Sequence, residues 1–173
     1  MMGGNITVQT EKGKGTEFTI TVSFPLAEPQ EEICPCEGEE ISFEGMRALL
    51  VEDNMINMEI AQMLLEQAGF LIETAENGKI ALEMTAASEP GYYDVILMDI
   101  QMPVMDGYTA AKAIRDLPDA GLAGIPIIAM TANAFQEDIK KAGEAGMNGH
   151  IAKPLDIPDM KATLQQVLKS TSG

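Results

Sequence analysis

The segment 48-ALLVED-53 combines four apolar residues with two adjacent carboxylates, and the same pattern recurs later in the chain. Three further short runs that are mostly apolar are each followed by a polar residue: 95–98 by Asp99, 126–130 by Thr131, and 150–152 by Lys153. Runs without a polar face are typical of strands covered on both sides in a parallel sheet. Since parallel strands end at the same edge of a sheet, the sequence predicts that these polar side chains meet in one crevice.

Segments with helical periodicity separate the apolar runs from residue 46 onward, which gives five strand–helix units in strict alternation. The predicted strands are 46–51, 70–75, 92–98, 125–130 and 149–152. This alternation predicts an α/β fold with right-handed crossovers, in which helices cover both faces of a doubly wound, five-stranded parallel sheet. The strand order 2-1-3-4-5 fits, because it puts the polar ends of the first and third strands side by side.

Two of the predicted helices have an apolar stripe, which indicates the side that packs on the sheet. The first helix is predicted to begin at a cap formed by Asp53 or Asn54. Its expected buried face consists of Ile56, Ile60, Met63, Leu64 and Ala68, and that of the last helix consists of Met160, Leu164, Val167 and Leu168.

Residues 1–26 follow a different pattern, because apolar residues alternate with polar ones around the turn 12-KGKG-15. The alternating apolar residues are Ile6, Val8, Phe18, Ile20, Val22 and Phe24. This predicts a β-hairpin with one apolar face, which needs cover and could find it in a homodimer or by docking on the domain that follows. Residues 27–45 contain seven Glu and no Lys or Arg, which predicts an acidic linker.

The chain is strongly acidic, with 27 Asp and Glu against 11 Lys and Arg and a formal net charge of −16. Such a charge repels nucleic acid and anionic lipid headgroups, so we expect no direct binding to nucleic acid. No run approaches the roughly 18 apolar residues of a membrane span, so we expect no membrane insertion by this chain. We expect a cytoplasmic location for this chain.

The predicted crevice would gather the carboxylates of Glu52, Asp53 and Asp99 with the hydroxyl of Thr131 and the ammonium of Lys153. Three crowded carboxylates repel one another unless a cation or protons intervene. A divalent metal such as Mg²⁺, which prefers oxygen ligands, and a phosphoryl group both suit this set of side chains.

Five motifs resemble, in order, those of the receiver (response-regulator) domain, in the form fused to hybrid sensor histidine kinases. They are 51-VEDN-54, 97-LMDIQMP-103, 105-MDG-107, 130-MTA-132 and 153-KP-154. The resemblance implies a flavodoxin-like receiver fold over residues 46–173. The segment 13-GKGTEF-18 resembles the last glycine-containing motif of the ATP-binding domain of sensor histidine kinases, which implies that residues 1–26 are a remnant of that domain.

The receiver resemblance implies a role for each residue of the crevice. Asp99 would be the phosphoacceptor, and Mg²⁺ or Mn²⁺ would be held by Glu52, Asp53, Asp99 and the backbone carbonyl of Gln101. Thr131, Ala132 and Lys153 would contact the phosphoryl group, while Thr131 and His150 would form a switch. Where the family commonly has Tyr or Phe, this chain has His150, so a strand histidine without a switching role is the alternative. The peptide bond between Lys153 and Pro154 is expected to be cis.

The function that follows from the resemblance is a phosphorelay receiver. Its donor would be a phosphohistidine on a histidine kinase core or on a histidine phosphotransfer domain. As this fragment it would be no enzyme beyond promoting its own phosphorylation and dephosphorylation, although the parent would be a hybrid histidine kinase. One alternative is a haloacid-dehalogenase-like phosphatase, but that family needs Asp-x-Asp where this chain has Asp99 and Gln101. Another is a docking module that is not phosphorylated.

Overall fold

The computed structural model describes residues 4–11, 13, 15–22, 42–132 and 136–171. The chain divides into two compact units, one within residues 1–39 and one within residues 40–173. The predicted acidic linker lies outside the described residues as far as position 41, and so does Phe24 of the predicted hairpin.

The first unit is an antiparallel hairpin of β1 (Gly4–Glu11) and β2 (Gly15–Val22), as predicted. Its register pairs Val8 with Phe18, and residues directly opposite each other share a face of the hairpin. Three apolar side chains on that face are open to solvent: Ile6, Val8 and Phe18 are exposed by 64%, 53% and 66%. A two-stranded hairpin with an uncovered apolar face is marginally stable alone.

The second unit contains a parallel sheet of five strands: β3 (Arg47–Val51), β4 (Leu71–Ala75), β5 (Val95–Asp99), β6 (Ile127–Thr131) and β7 (Gly149–Ala152). The strand order is β4-β3-β5-β6-β7, which confirms the predicted order 2-1-3-4-5. The helices are α1 (Met55–Gln67), α2 (Gly78–Ala87), α3 (Gly107–Arg115), the short α4 (Ala120–Ala123), α5 (Gln136–Glu144) and α6 (Ile157–Thr171). Among the described residues, none of these helices is long and apolar enough to cross a membrane.

The sheet separates two apolar cores, because successive side chains of a strand point to opposite faces. In β3, Ala48 and Leu50 belong to the core that includes residues of α1 and α6, whereas Leu49 and Val51 belong to the core with residues of α2 and α3. The central strands β5 and β6 are buried along their whole length. The buried stripe predicted for the last helix is confirmed, since Met160, Leu164, Val167 and Leu168 are all buried.

The predicted buried face of the first helix is wrong for three of its five residues, whereas Leu64 and Ala68 are half-buried. Ile56, Ile60 and Met63 are exposed by 68%, 53% and 59%, while Ala61 and Leu65 are the buried residues of α1. The helix carries two apolar stripes, and 3.6 residues per turn puts them on roughly opposite sides. Helical periodicity finds both stripes without identifying the one that contacts the sheet.

The third predicted strand begins at Val95 rather than at residue 92. Tyr92 and Tyr93 each donate a hydroxyl hydrogen bond to the Glu73 carboxylate, at 2.6 and 2.7 Å. The two hydrogen bonds lower the pKa of Glu73. These two hydrogen bonds join the loop before β5 to the edge strand β4. The tyrosines therefore belong to the loop, although their apolar and aromatic character predicted that they belong to the strand.

Gly107, the first residue of α3, lies directly under the carboxyl end of β5. A Cβ atom at this position would be 2.2 Å from the backbone carbonyl oxygen of Asp99, which is held in the sheet. We expect Gly107→Ala to lower the free energy of unfolding by about 3 kcal/mol, because backbone must shift to relieve the overlap. Urea denaturation measures this change.

Gly143 in α5 provides the matched control, because a Cβ atom there would meet nothing within 4 Å apart from the backbone of its own helix. Gly143→Ala is expected to raise the free energy of unfolding by about 0.5–1 kcal/mol through a less flexible unfolded chain. Equal effects of the two substitutions would contradict the packing that we describe around Gly107.

Candidate functional site

Three carboxylates meet at the carboxyl edge of the sheet. Glu52 and Asp53 follow β3, and Asp99 is the last residue of the neighbouring strand β5. One oxygen from each of the three carboxylates lies within 4.8 Å of the others. Glu52 and Asp99 are only 2% and 6% exposed, whereas Asp53 is exposed. The structure therefore brings together the three acidic residues that the sequence predicted for one crevice.

The ammonium of Lys153 lies between two of these carboxylates. Its Nζ atom is 2.5 Å from Glu52 Oε2 and 2.7 Å from Asp99 Oδ2. Lys153 follows β7 directly, and its backbone N–H donates to the Thr131 carbonyl at 2.8 Å. The peptide bond to Pro154 is cis, which confirms the expectation from the sequence.

Burial and charge act in opposite directions on the ionisable groups of this cluster. Burial raises the pKa of Asp99 above its ordinary value and the Glu52 charge adds to this, although the Lys153 ammonium opposes both. For Lys153, burial alone would lower the pKa, but hydrogen bonds to Asp99 and Glu52 outweigh it, so the pKa is raised. Lys153 therefore carries a full positive charge at neutral pH.

A cleft of about 290 Å³ opens above these charged groups. It is lined by Glu52, Asp53, Asn54, Asn57, Asp99, Ile100, Gln101, Thr131, Ala132, Asp138 and Lys153. The Gln101 backbone N–H donates to Asp99 Oδ1 at 3.3 Å, and the Thr131 side chain is buried at the end of β6. The cleft thus contains all predicted site residues except His150.

His150 lies apart from the cleft, in the edge strand β7, where it pairs with Ala129 of β6. It is half-buried, and strand alternation directs it to the face opposite the buried Ile151. The strand β7, which contains His150, ends at Ala152 directly before Lys153, and the neighbouring strand β6 ends at Thr131.

Sequence reasoning missed two residues that line the cleft, Asn57 and Asp138. The side chain of Asn54 accepts hydrogen bonds from the backbone N–H groups of Ile56 and Asn57, which starts α1 directly after the acidic pair. In the first turn of this helix, Asn57 reaches back and donates to Glu52 Oε1 at 3.0 Å. The sequence feature that indicates Asn57 is its position one turn after the cap residue Asn54. No comparable sequence feature indicates Asp138, which lies in the first turn of α5.

The loop between β5 and α3 contains an unusual backbone conformation. Val104 has φ of 69° and is the one residue other than glycine with a positive φ in the described part of the chain. Its side chain is 80% exposed, so little buried area offsets the strain of a β-branched residue in this region.

The profile of the response regulator receiver domain matches residues 48–165. The chain belongs to the response regulator receiver domain family. It is therefore a receiver domain of two-component phosphorelay signalling, and the fold and family expected from the sequence are confirmed.

Hybrid and sensor histidine kinases are among the relatives of this receiver domain. The aerobic respiration control sensor protein ArcB of Escherichia coli K12 is 36% identical over 172 residues, which cover 95% of this chain and 20% of ArcB. Probable histidine kinase 1 of Oryza sativa subsp. indica is 38% identical over 151 residues, covering 70% of this chain and 15% of the rice protein. The chain thus spans at most about a fifth of the length of these relatives.

A solved structure agrees with the receiver fold. The receiver domain of sensor histidine kinase PA1611 from Pseudomonas aeruginosa PAO1, with a magnesium ion coordinated in its active site cleft, is 36% identical and has a TM-score of 0.64. The match covers 72% of this chain and 98% of that one.

Replacing Val104 tests the strain in the loop beside the receiver cleft. We expect Val104→Asn to raise the free energy of unfolding by about 1 kcal/mol, because Asn adopts the left-handed region more readily than a β-branched residue. Val104→Ala keeps a Cβ atom and should give a smaller gain. Chemical denaturation measures both, and a loss of stability in Val104→Asn would contradict the assignment of strain.

Proposed function

We propose that this receiver domain takes a phosphoryl group from a phosphohistidine onto Asp99 and then passes it on or releases it by hydrolysis. The observation that carries the proposal is the cluster in which the Lys153 ammonium contacts both Asp99 and Glu52 beside the cleft. A phosphatase of the haloacid-dehalogenase type is less well supported, because Gln101 offers no general acid two residues after Asp99.

The donor set at the cleft fits a divalent cation. Three carboxylates with ligand atoms within 4.8 Å of one another are hard oxygen donors of the kind that Mg²⁺ or Mn²⁺ prefers. Glu52, Asp53, Asp99 and the backbone carbonyl of Gln101 would hold the ion. When bound, the ion supplies positive charge that offsets repulsion between the carboxylates and an incoming phosphoryl group. The magnesium in the related PA1611 receiver supports this proposal.

Each side chain of the cleft has a defined task in the transfer. A carboxylate oxygen of Asp99 attacks phosphorus, so that a P–O bond forms as the P–N bond to the donor imidazole breaks. Lys153 holds Asp99 and provides positive charge for the phosphoryl oxygens. The Thr131 hydroxyl and the Ala132 backbone N–H donate hydrogen bonds to those oxygens. Movement of Thr131 toward the phosphoryl group is transmitted to the neighbouring strand, where His150 changes position and completes the switch.

The partner surface that we propose is the exposed apolar stripe of α1. Ile60 belongs both to this stripe and to an apolar cleft that also includes Met130, Pro154 and Leu155. Exposed apolar area next to a reactive site is typical of a docking surface. A helical histidine phosphotransfer domain would place its phosphohistidine above Asp99 from this side.

A solved complex supports the choice of partner. The co-crystal structure of the Saccharomyces cerevisiae histidine phosphotransfer signaling protein Ypd1 with the receiver domain of Ssk1 matches at 32% identity and a TM-score of 0.60. The match covers 68% of this chain and 85% of the matched chain.

We further propose that the chain is part of a longer hybrid histidine kinase. Residues 1–26 would be the end of the kinase ATP-binding domain, residues 27–45 a linker and residues 46–173 the receiver. The match to ArcB over 95% of this chain supports the arrangement, because it extends beyond the receiver. The rest of that kinase domain would cover the apolar face of the hairpin, although a homodimer remains a prediction. The receiver would face the cytoplasm, with an anchor in the inner membrane elsewhere in the parent.

Phosphorylation by a small donor tests the role of Asp99. Incubation with Mg²⁺ and acetyl phosphate should add one phosphoryl group to the wild-type protein, as measured by intact mass, and chelation of Mg²⁺ should prevent it. We expect Asp99→Asn to abolish the addition. Asp106→Asn is the matched control, because Asn can also cap α3 and Asp106 lies outside the cleft. Phosphorylation of the Asp99→Asn protein would refute the assignment.

Substitution in α1 tests the docking surface. Ile60→Asp should slow phosphoryl transfer from phosphorylated Ypd1 by tenfold or more, equivalent to about 1.4 kcal/mol, because a charge replaces an apolar contact. The rate with acetyl phosphate should not change. Leu71→Asp is the control, since Leu71 is also an exposed apolar residue, at 49%. Leu71 is the first residue of β4 and therefore lies at the amino edge of the sheet, opposite the carboxyl edge where Asp99 lies. Unchanged transfer to the Ile60→Asp protein would contradict the proposed surface.

A further inference from the structure

Asn57 stands at one end of a continuous chain of polar contacts that leads to Asp99. Its Nδ2 atom donates to Glu52 Oε1 at 3.0 Å, and Glu52 Oε2 lies 2.5 Å from Lys153 Nζ. The same Nζ atom is 2.7 Å from Asp99 Oδ2. Asn57 is thus joined to the phosphoacceptor carboxylate through two intervening side chains, although it does not itself contact Asp99.

The hydrogen bond from Asn57 matters because Glu52 is almost completely buried. At 2% exposure its carboxylate has little water to satisfy it, and each of its two oxygens has one protein donor. Without Asn57, Oε1 would lose its partner and the carboxylate would be free to turn about its terminal bond. The ammonium of Lys153 would then lose its fixed contact with Glu52 Oε2, because that oxygen would move as the carboxylate turns.

Asn57 also lies at a boundary between two clefts. It lines both the acidic cleft above Asp99 and the apolar cleft beside α1 that contains Ile60 and Leu155. Glu52 and Lys153 line both clefts as well. A change of the side chain at position 57 would therefore alter the shared boundary between the acidic cleft and the apolar cleft of the proposed docking surface.

We infer that Asn57 is a positioning residue of the receiver site. It fixes the Glu52 carboxylate, and through it the Lys153 ammonium, in the arrangement required for cation binding and phosphoryl transfer. It acts without contact to the phosphoryl group. An amide suits this task because it donates a hydrogen bond without adding charge, whereas Asp at this position would put a second carboxylate directly against Glu52. The inference rests on the proposed function, in that the site binds a divalent cation.

Removal of the amide is the direct test. Asn57→Leu keeps a side chain of similar size without a donor, and we expect Mg²⁺ affinity, measured by isothermal titration calorimetry, to fall by about tenfold or more. Asn57→Gln carries the same amide and should recover most of this loss. Gln62→Leu is the matched control, because Gln62 makes a comparable amide hydrogen bond to Glu66 on the same helix, at 2.7 Å, but lies outside both clefts. It should leave Mg²⁺ affinity unchanged.

A second measurement separates positioning from general loss of structure. In protein without Mg²⁺, we expect the NMR signal of the Lys153 ammonium to be protected from exchange in the wild type and in Asn57→Gln, and to broaden in Asn57→Leu. Urea denaturation reports the fold independently. Wild-type Mg²⁺ affinity and an unchanged Lys153 signal in Asn57→Leu would overturn the inference, and so would equal effects in Gln62→Leu. Failure of wild-type protein to accept a phosphoryl group would instead contradict the proposed function alone, because neither measurement uses phosphorylation.

Discussion

The contact of one ammonium with two buried carboxylates is the constraint on which the receiver site depends. Glu52 and Asp99 stand at the ends of adjacent strands, so their charges would repel each other without an intervening cation. Lys153 supplies that cation from β7, which lies two strands away from β5. Since neighbouring strands are about 4.8 Å apart, only a long side chain can cross β6 and reach Asp99. A compact ammonium on a flexible stem meets this requirement, whereas the shorter imidazole of His would not.

This ionic cluster contributes little to the stability of the fold compared with the apolar strands. Buried ion pairs are often no more stabilising than apolar residues of the same volume, because both charges lose their hydration. The strands β5 and β6, in contrast, are buried along their whole length and contact the cores on both faces of the sheet. We infer that the sheet is held by apolar packing and that the charged residues are retained at its edge for chemistry.

The sequence was sufficient for the sheet and for the ends of its strands. A polar residue directly after an apolar run lies at the carboxyl edge of a parallel sheet, and this is why the sequence predicts Asp99 and Thr131 at the crevice. Asn57 could not be predicted in the same way, because its role depends on which face of α1 points toward Glu52. The late start of β5 at Val95 was also beyond the sequence pattern, since it depends on a contact between Tyr93 and Glu73 that joins distant parts of the chain.

The incorrect prediction for α1 is physically informative. A helix that packs on a sheet needs one apolar stripe, and Ala61 and Leu65 provide it with small and medium-sized side chains. The stripe of Ile56, Ile60 and Met63 is then surplus to folding, and exposed apolar area of this kind favours association with other proteins. A net charge of −16 opposes nonspecific association through mutual repulsion between copies of the chain. The chain can therefore keep an apolar stripe beside its acidic cleft, and the partner that we propose would offer complementary apolar surface to overcome that repulsion.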